Sequence, residues 1–261
     1  MKLTRPLALV LPMLALVGLA PAPDGANPGP AVTRVAQECP VIAKTVPHGS
    51  GFSQVAAALA AQQDFAVLAI GSTSMLGPAG VPRDAFTYRA IDALTASRSA
   101  ARITMTARNA RGALAADMLA TLRTELAAHQ YRLVLWQAGA VDALHAVPVP
   151  EFRQTLAEGA KLVAGAHGLL ILIDTQFSRL MQSKVDVAPY EGVMREVASG
   201  AGVALFPRYD LTREWVTSGL IDLERTTPND RQKAADRLNE CLGQALASAI
   251  GSDANSPPFV K

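Results

Sequence analysis

The chain has 261 residues with 24 Lys+Arg, 22 Asp+Glu, 50% hydrophobic and 18% charged residues and two cysteines, for a formal charge of +2. This composition is too apolar for a disordered chain, and it is long enough for one sizeable α/β domain with its own core. The charge is too small for the basic stripe that nucleic-acid binding needs, and two cysteines exclude a cysteine-rich metal domain.

Lys2 and Arg5 precede an apolar run from Pro6 to Ala20 and then Ala20-Pro21-Ala22. A basic start, a short apolar run and small residues predict a secretory signal peptide over residues 1–22. The run is shorter than the ~20 residues of a spanning helix, so no stable membrane span is expected after its removal. Removing Lys2 and Arg5 from the 24 basic residues leaves 22 against 22 acidic ones, so net charge steers neither nucleic acid nor an anionic surface. Export places the protein in the periplasm or outside the cell. There an oxidising environment favours a Cys39–Cys241 pair that staples the two ends of the domain; two unpaired buried thiols are the alternative.

Residues 23–50 read as a linker and N-terminal segment, because Pro21 to Pro30 is rich in Pro, Gly and Ala. The folded domain is expected over 51–250, opening with a helix near Ser53–Gln63. Strands are expected at Phe65–Ile70, Ile103–Thr106, Leu133–Gln137, Leu169–Ile173 and Val203–Phe206, because short continuous apolar runs suit strands buried on both faces. Helices fall near Ala113–Gln130, Pro150–Ala166, Ala188–Ser199 and Asp230–Ile250, the last with Asn229 or Asp230 as its cap. The alternation predicts an α/β fold, a parallel sheet covered by helices on both faces. Residues 251–261 are polar, hold two prolines, and read as a flexible tail.

In such sheets, sites lie beyond the carboxyl ends of the strands. The segment there after the first strand is Ile70-Gly71-Ser72-Thr73-Ser74-Met75-Leu76-Gly77. It lacks the Gly-Lys-Ser/Thr ending of a phosphate loop and the second glycine of a dinucleotide fingerprint. A small, hydroxyl-rich turn leaving a buried strand suits a nucleophile at the sheet edge. Such hydroxyls also serve simply to satisfy backbone groups.

This block resembles the first block of the SGNH (GDSL-type) hydrolases in their bacterial Gly-Ser-Ser-Ser variant. Asn109-Ala110-Arg111-Gly112 with Ala115 to Leu119 resembles the second block. Leu133 to Val141 resembles the third, and Asp174-Thr175-Gln176-Phe177 resembles that variant's Asp-Pro-Gln-Tyr. Leu205 to Tyr209, Arg213-Glu214-Trp215 and Thr227-Pro228-Asn229-Asp230 resemble its closing segment, so the likeness runs in order from about Ser53 to Leu246.

The resemblance implies a three-layer α/β/α sandwich with a five-stranded parallel sheet, flavodoxin-like in layout. It also implies cofactor-free ester or thioester hydrolysis on acylated carbohydrate or lipid. In the family a serine attacks the carbonyl, a histidine takes its proton, and an aspartate three residues earlier orients that histidine. Backbone amides and an asparagine hold the oxyanion. Carried over position by position, the nucleophile falls on Thr73 and the oxyanion glycine on Gly112. The oxyanion asparagine falls on Val141, the aspartate on Glu224 and the histidine on Thr227. Only the glycine is kept.

A threonine is no general base near neutral pH, and loss of the base in a comparable triad costs on the order of 10⁶ in turnover. A missing oxyanion donor costs about 3 kcal/mol. The expectation is therefore a binding or structural protein on a hydrolase scaffold, with little or no catalysis. The alternative is an esterase or acyltransferase using Thr73, Ser72 or Ser74 with a base from elsewhere: His48, His129, His145, His167 or Glu224. Ser72, Ser74 and Asp142 are further ligand-binding candidates, Asp142 also being placed to orient loop amides. No metal site is expected, since no two histidines have ligand spacing.

Overall fold

Four largely apolar runs and one that alternates with polar residues form five strands, β1 Asp64–Gly71, β2 Arg102–Asn109 (the alternating one), β3 Leu133–Gln137, β4 Leu169–Ile173 and β5 Val203–Phe206. They lie in one parallel sheet of order β2-β1-β3-β4-β5. The computed structural model describes Cys39, residues 49–61, 64–72, Met75, Gly77, 81–97 and 102–251. All of these fall within the compact unit Glu38–Lys261. The expected signal peptide, most of the linker, the tail beyond Gly251, His48, Thr73 and Ser74 lie outside the described residues.

Side chains alternate between the two faces of a strand, and the apolar runs supply both faces at once. On one face Val67, Leu135, Ile171 and Phe206 meet α1 (Gly51–Ala61), α2 (Phe86–Ser97) and α9 (Arg231–Gly251) through Val55, Phe86 and Leu242. On the other, Leu68, Val134, Trp136, Leu172 and Leu205 meet α3 (Ala115–Ala128), α5 (Val149–Gly165) and α7 (Ala188–Ala198) through Leu122, Phe152 and Met194. The result is the expected three-layer sandwich. Trp136 is fully buried and its indole N–H points at Met118 Sδ, 3.3 Å away. Gly159 of α5 accommodates that ring: a Cβ there would lie 2.1 Å from Trp136 Cζ3.

Short elements α4 (Ala140–Leu144), α6 (Arg179–Gln182) and α8 (Arg208–Thr217), a 3-10 turn at Pro82–Asp84, and α2 complete the described elements. Strand β2 extends beyond the expected Ile103–Thr106 at both ends. It is an edge strand, so its polar residues Arg102, Thr104 and Arg108 face outward rather than ending it. Cys39 and Cys241 are joined in a disulfide with Cα atoms 5.1 Å apart and a sequence separation of 202, which ties the N-terminal segment to α9. Among the described residues no helix is long and apolar enough to cross a membrane.

Candidate functional site at the carboxyl edge of the sheet

The strand order reverses between β1 and β3, and in sheets of this kind the place beyond the carboxyl ends at that point is where ligands bind. Ser72 sits at this point. It is buried, and both its backbone N–H and its Oγ lie 3.3 Å from Gln137 Oε1 at the end of β3. Its carbonyl accepts from the Met75 amide at 3.1 Å. Gly71 is required by this packing, because a Cβ would meet Met75 Cγ at 2.4 Å and Gln137 Oε1 at 3.1 Å. Among the described residues Ser72 thus faces an amide and no imidazole.

Gly112 follows β2 with φ +70°, and no atom lies within 4 Å of where its Cβ would be. Backbone conformation, not lack of room, calls for glycine here. Asp142 is buried in α4 and bridges two loops. Its Oδ1 accepts from the Ala115 amide at 2.9 Å and its Oδ2 from the Gly139 amide at 3.1 Å. Burial pushes its carboxyl above the ordinary aspartate range, against the pull of these amides. Val141 lies beside it in α4, half-buried, and its side chain offers no donor toward Gly112.

The β4 and β5 ends carry a buried polar network that the sequence reading largely missed. Asp174 Oδ1 accepts from the Tyr209 amide at 2.7 Å, and burial raises its carboxyl well above the usual value. Thr175 Oγ1 donates to Glu191 Oε1 at 3.0 Å, and the Phe177 amide donates to Thr212 Oγ1 at 2.9 Å. Arg208 is almost fully buried. Its Nη2 donates to Gln176 Oε1 at 2.5 Å and its guanidinium lies 4.9 Å from the centre of the Phe86 ring. Burial lowers its pKa to about 10, with the charge of Asp174 acting in the opposite direction. The available signal was a single one: an arginine two positions after the apolar run Val203–Phe206, behind Pro207.

The closing segment, residues 222–227, folds against the start of α6. Glu224 Oε1 accepts from Ser178 Oγ at 2.6 Å and from the Leu180 amide at 3.2 Å. Its Oε2 accepts from the Arg179 amide at 3.1 Å, and the Arg179 guanidinium lies 3.5 Å away. Burial opposes its ionisation, but the Ser178, Leu180 and Arg179 contacts prevail and hold its carboxyl below the ordinary glutamate range. Asp222 pairs with Arg179 at 3.0 Å and accepts from the amides of Glu224 and Arg225. Thr227 is exposed, and its hydroxyl donates to Asp230 Oδ2 at 2.8 Å just before α9.

The described histidines lie elsewhere. His129 closes α3 and stacks edge-on with Tyr131, His145 closes α4, and His167 precedes β4; all three are exposed. Trp215 is buried in the core with Leu238 and Leu242 of α9 rather than offered to a ligand. Among the described residues no cluster of three His, Cys, Asp or Glu side chains could hold a metal ion.

Comparison with known proteins bears on this arrangement. The model of a family described as non-GDSL lipase-like matches residues 38–256. Among solved structures, TesA is 18% identical over 69% of this chain and 97% of its own, with a TM-score of 0.52. LAE5, an alpha/beta hydrolase enzyme from the metagenome of Lake Arreo, Spain, is 18% identical over 74% and 97%, with a TM-score of 0.56. A catalytic mutant of Axe2, an acetylxylan esterase from Geobacillus stearothermophilus, is 15% identical over 72% and 94%, with a TM-score of 0.57. At these identities the likeness is one of fold. No curated protein matches the sequence closely enough to count as a relative.

Proposed function

Since the chain belongs to the non-GDSL lipase-like family, we propose that it is an exported SGNH-fold protein that has lost most or all of its hydrolytic chemistry and serves by binding or as a structural part of the cell envelope. The observation that carries this reading is the state of Glu224 and Thr227. Glu224, at the position of the family's orienting aspartate, has both oxygens engaged by Ser178, Arg179 and Leu180. Its lowered pKa makes it a poor proton acceptor. Thr227, at the histidine position, carries a hydroxyl that donates to Asp230.

The nucleophile position Thr73 adds a methyl that restricts rotation and crowds the approach to a carbonyl. Val141 offers no donor in place of the oxyanion asparagine. Gly112 and Ser72 still provide an amide and a hydroxyl at this edge. The ligand class that fits such a remnant is an acylated carbohydrate or lipid, the class to which the substrate of an acetylxylan esterase belongs. Asp142, with its carboxylate on the Ala115 and Gly139 amides, orients these loops in this reading. Export rests on the apolar run Pro6–Ala20 behind Lys2 and Arg5, and the Cys39–Cys241 bridge suits an oxidising compartment.

The test is hydrolysis of a short acyl ester by the purified mature chain. The expected rate equals that of a heat-killed control. A clear excess that disappears in Thr73→Ala overturns the reading and establishes an esterase with a rearranged site.

A further inference from the structure

A cavity of about 240 Å³ lies behind the closing segment, walled by Phe177, Val216, Ile221, Leu223 and Leu238. It is distinct from the Ser72–Gln137 contact: none of its lining residues comes from β1, β2 or β3. An apolar cavity of ~150 Å³ already holds a benzene-sized molecule. This one therefore has room for a substituted ring or a branched chain of similar bulk.

The polar groups on its wall narrow the ligand further. Asp222 and Glu224 are both paired with Arg179, and Arg225 lies 3.9 Å from Asp222, so two carboxylates face two guanidinium groups and no net negative charge is left to hold a cation. Thr212 Oγ1 is engaged by the Phe177 amide and by the Arg208 carbonyl. Gln176 presents its Oε1 to Arg208, while its Nε2 donates to no described residue. Ser178, Thr212, Asp222 and Glu224 on the same wall are already engaged, so the Gln176 amide is the donor left for one hydrogen-bond acceptor on the ligand. A charged ligand would lose its hydration here without gaining a partner.

The roof is a latch. Asp222, Leu223 and Glu224 line one side of the cavity and Ser178 the other, and the two sides are joined by the Glu224–Ser178 and Asp222–Arg179 contacts. Two exposed leucines flank it, Leu180 on α6 at 62% exposure and Leu220 just ahead of the segment at 45%.

We propose that this cavity binds a small uncharged molecule with a ring-sized apolar body and one hydrogen-bond acceptor, and that the Asp222–Glu224 clasp on Arg179 gates its entry. This goes beyond the reading above and does not depend on it, because the cavity needs no reaction at Thr73.

The experiment titrates the full disulfide-bonded chain, methyl-labelled for NMR, with acetophenone and with cumene, which lacks the carbonyl. Saturable shifts are expected at the methyl groups of Val216, Ile221, Leu223 and Leu238. Leu223→Phe and the milder Val216→Met, both read in spectra that also report folding, should abolish or weaken them at least tenfold. Gln176→Leu should weaken acetophenone about three- to tenfold, the worth of one hydrogen bond, and leave cumene unchanged. Glu224→Gln and Arg179→Met should speed entry several-fold. Absence of saturable shifts in folded protein, or shifts that survive both filling variants, overturns the site. An entry rate unchanged in both clasp variants overturns the gate. Ester hydrolysis by the parent chain would overturn the previous section and leave this result standing.

Discussion

Single residues here answer to packing and burial before chemistry. Gly159 leaves no room for a methyl against Trp136, whose ring is fixed on every side. Gly159→Ala should cost about 1–3 kcal/mol by overpacking, measured as a lower urea midpoint with an altered near-ultraviolet tryptophan signal. Glu191 illustrates the electrostatic counterpart. Burial raises its carboxyl above the ordinary range despite the hydrogen bond from Thr175 and the charge of Arg195. A group raised in the fold contributes fully at pH values below its ordinary pKa, and that contribution is lost as pH rises through the folded value. Glu191→Gln keeps an acceptor for Thr175. It should therefore gain stability relative to the parent as pH rises to 7, and the gain should vanish below about pH 4. Denaturant titrations of both proteins across that range check the sign.

At the scale of elements, the carboxyl edge is held by side chains that cross between loops. Asp142 joins the start of α3 to the loop after β3. Asp142→Ala leaves two buried amides without partners and should cost about 1–3 kcal/mol, with faster hydrogen exchange at Ala115 and Gly139. The clasp of α6 has the opposite pH sense. Asp222 and Glu224 both have lowered carboxyl pKa values: at Asp222 the hydrogen bond from Arg179 leads, and at Glu224 hydrogen bonds overcome burial. Their contribution is present above the ordinary carboxylate range and is lost as pH falls through the folded values. Protection of the Leu180 amide should fall below about pH 4 while core amides in β3 keep theirs. Hydrogen exchange at several pH values reads both.

For the molecule as a whole, the disulfide is the longest-range constraint. A sequence separation of 202 places it among long closed loops, for which the chain-entropy model gives up to about 5 kcal/mol, with smaller gains often observed. The Cys39→Ser/Cys241→Ser double variant should remain folded, because Leu238, Leu242 and Leu246 keep α9 on the sheet. Its thermal midpoint should fall by several degrees; an unchanged midpoint would mean that the bridge constrains the unfolded chain very little.

The residues by themselves determined the layers of this protein. Continuous apolar runs such as Leu133–Gln137 and Leu169–Ile173 can be satisfied only with a helix on each face, so the parallel sandwich followed. The pairing of Cys39 with Cys241 was legible as one of two outcomes, from their number and the leader-like start. Helices α2 and α8 escaped notice because polar residues that turn out to be buried, Thr87, Arg208 and Thr212, interrupt their apolar period. Only the tertiary structure decided what the edge residues do. The partner of Ser72 is 65 positions away, that of Glu224 about 45, and that of Asp142 as many as 27. A hydroxyl or carboxylate takes its role from whatever lies within about 3 Å, and that distance is set by the fold rather than by neighbours in the chain.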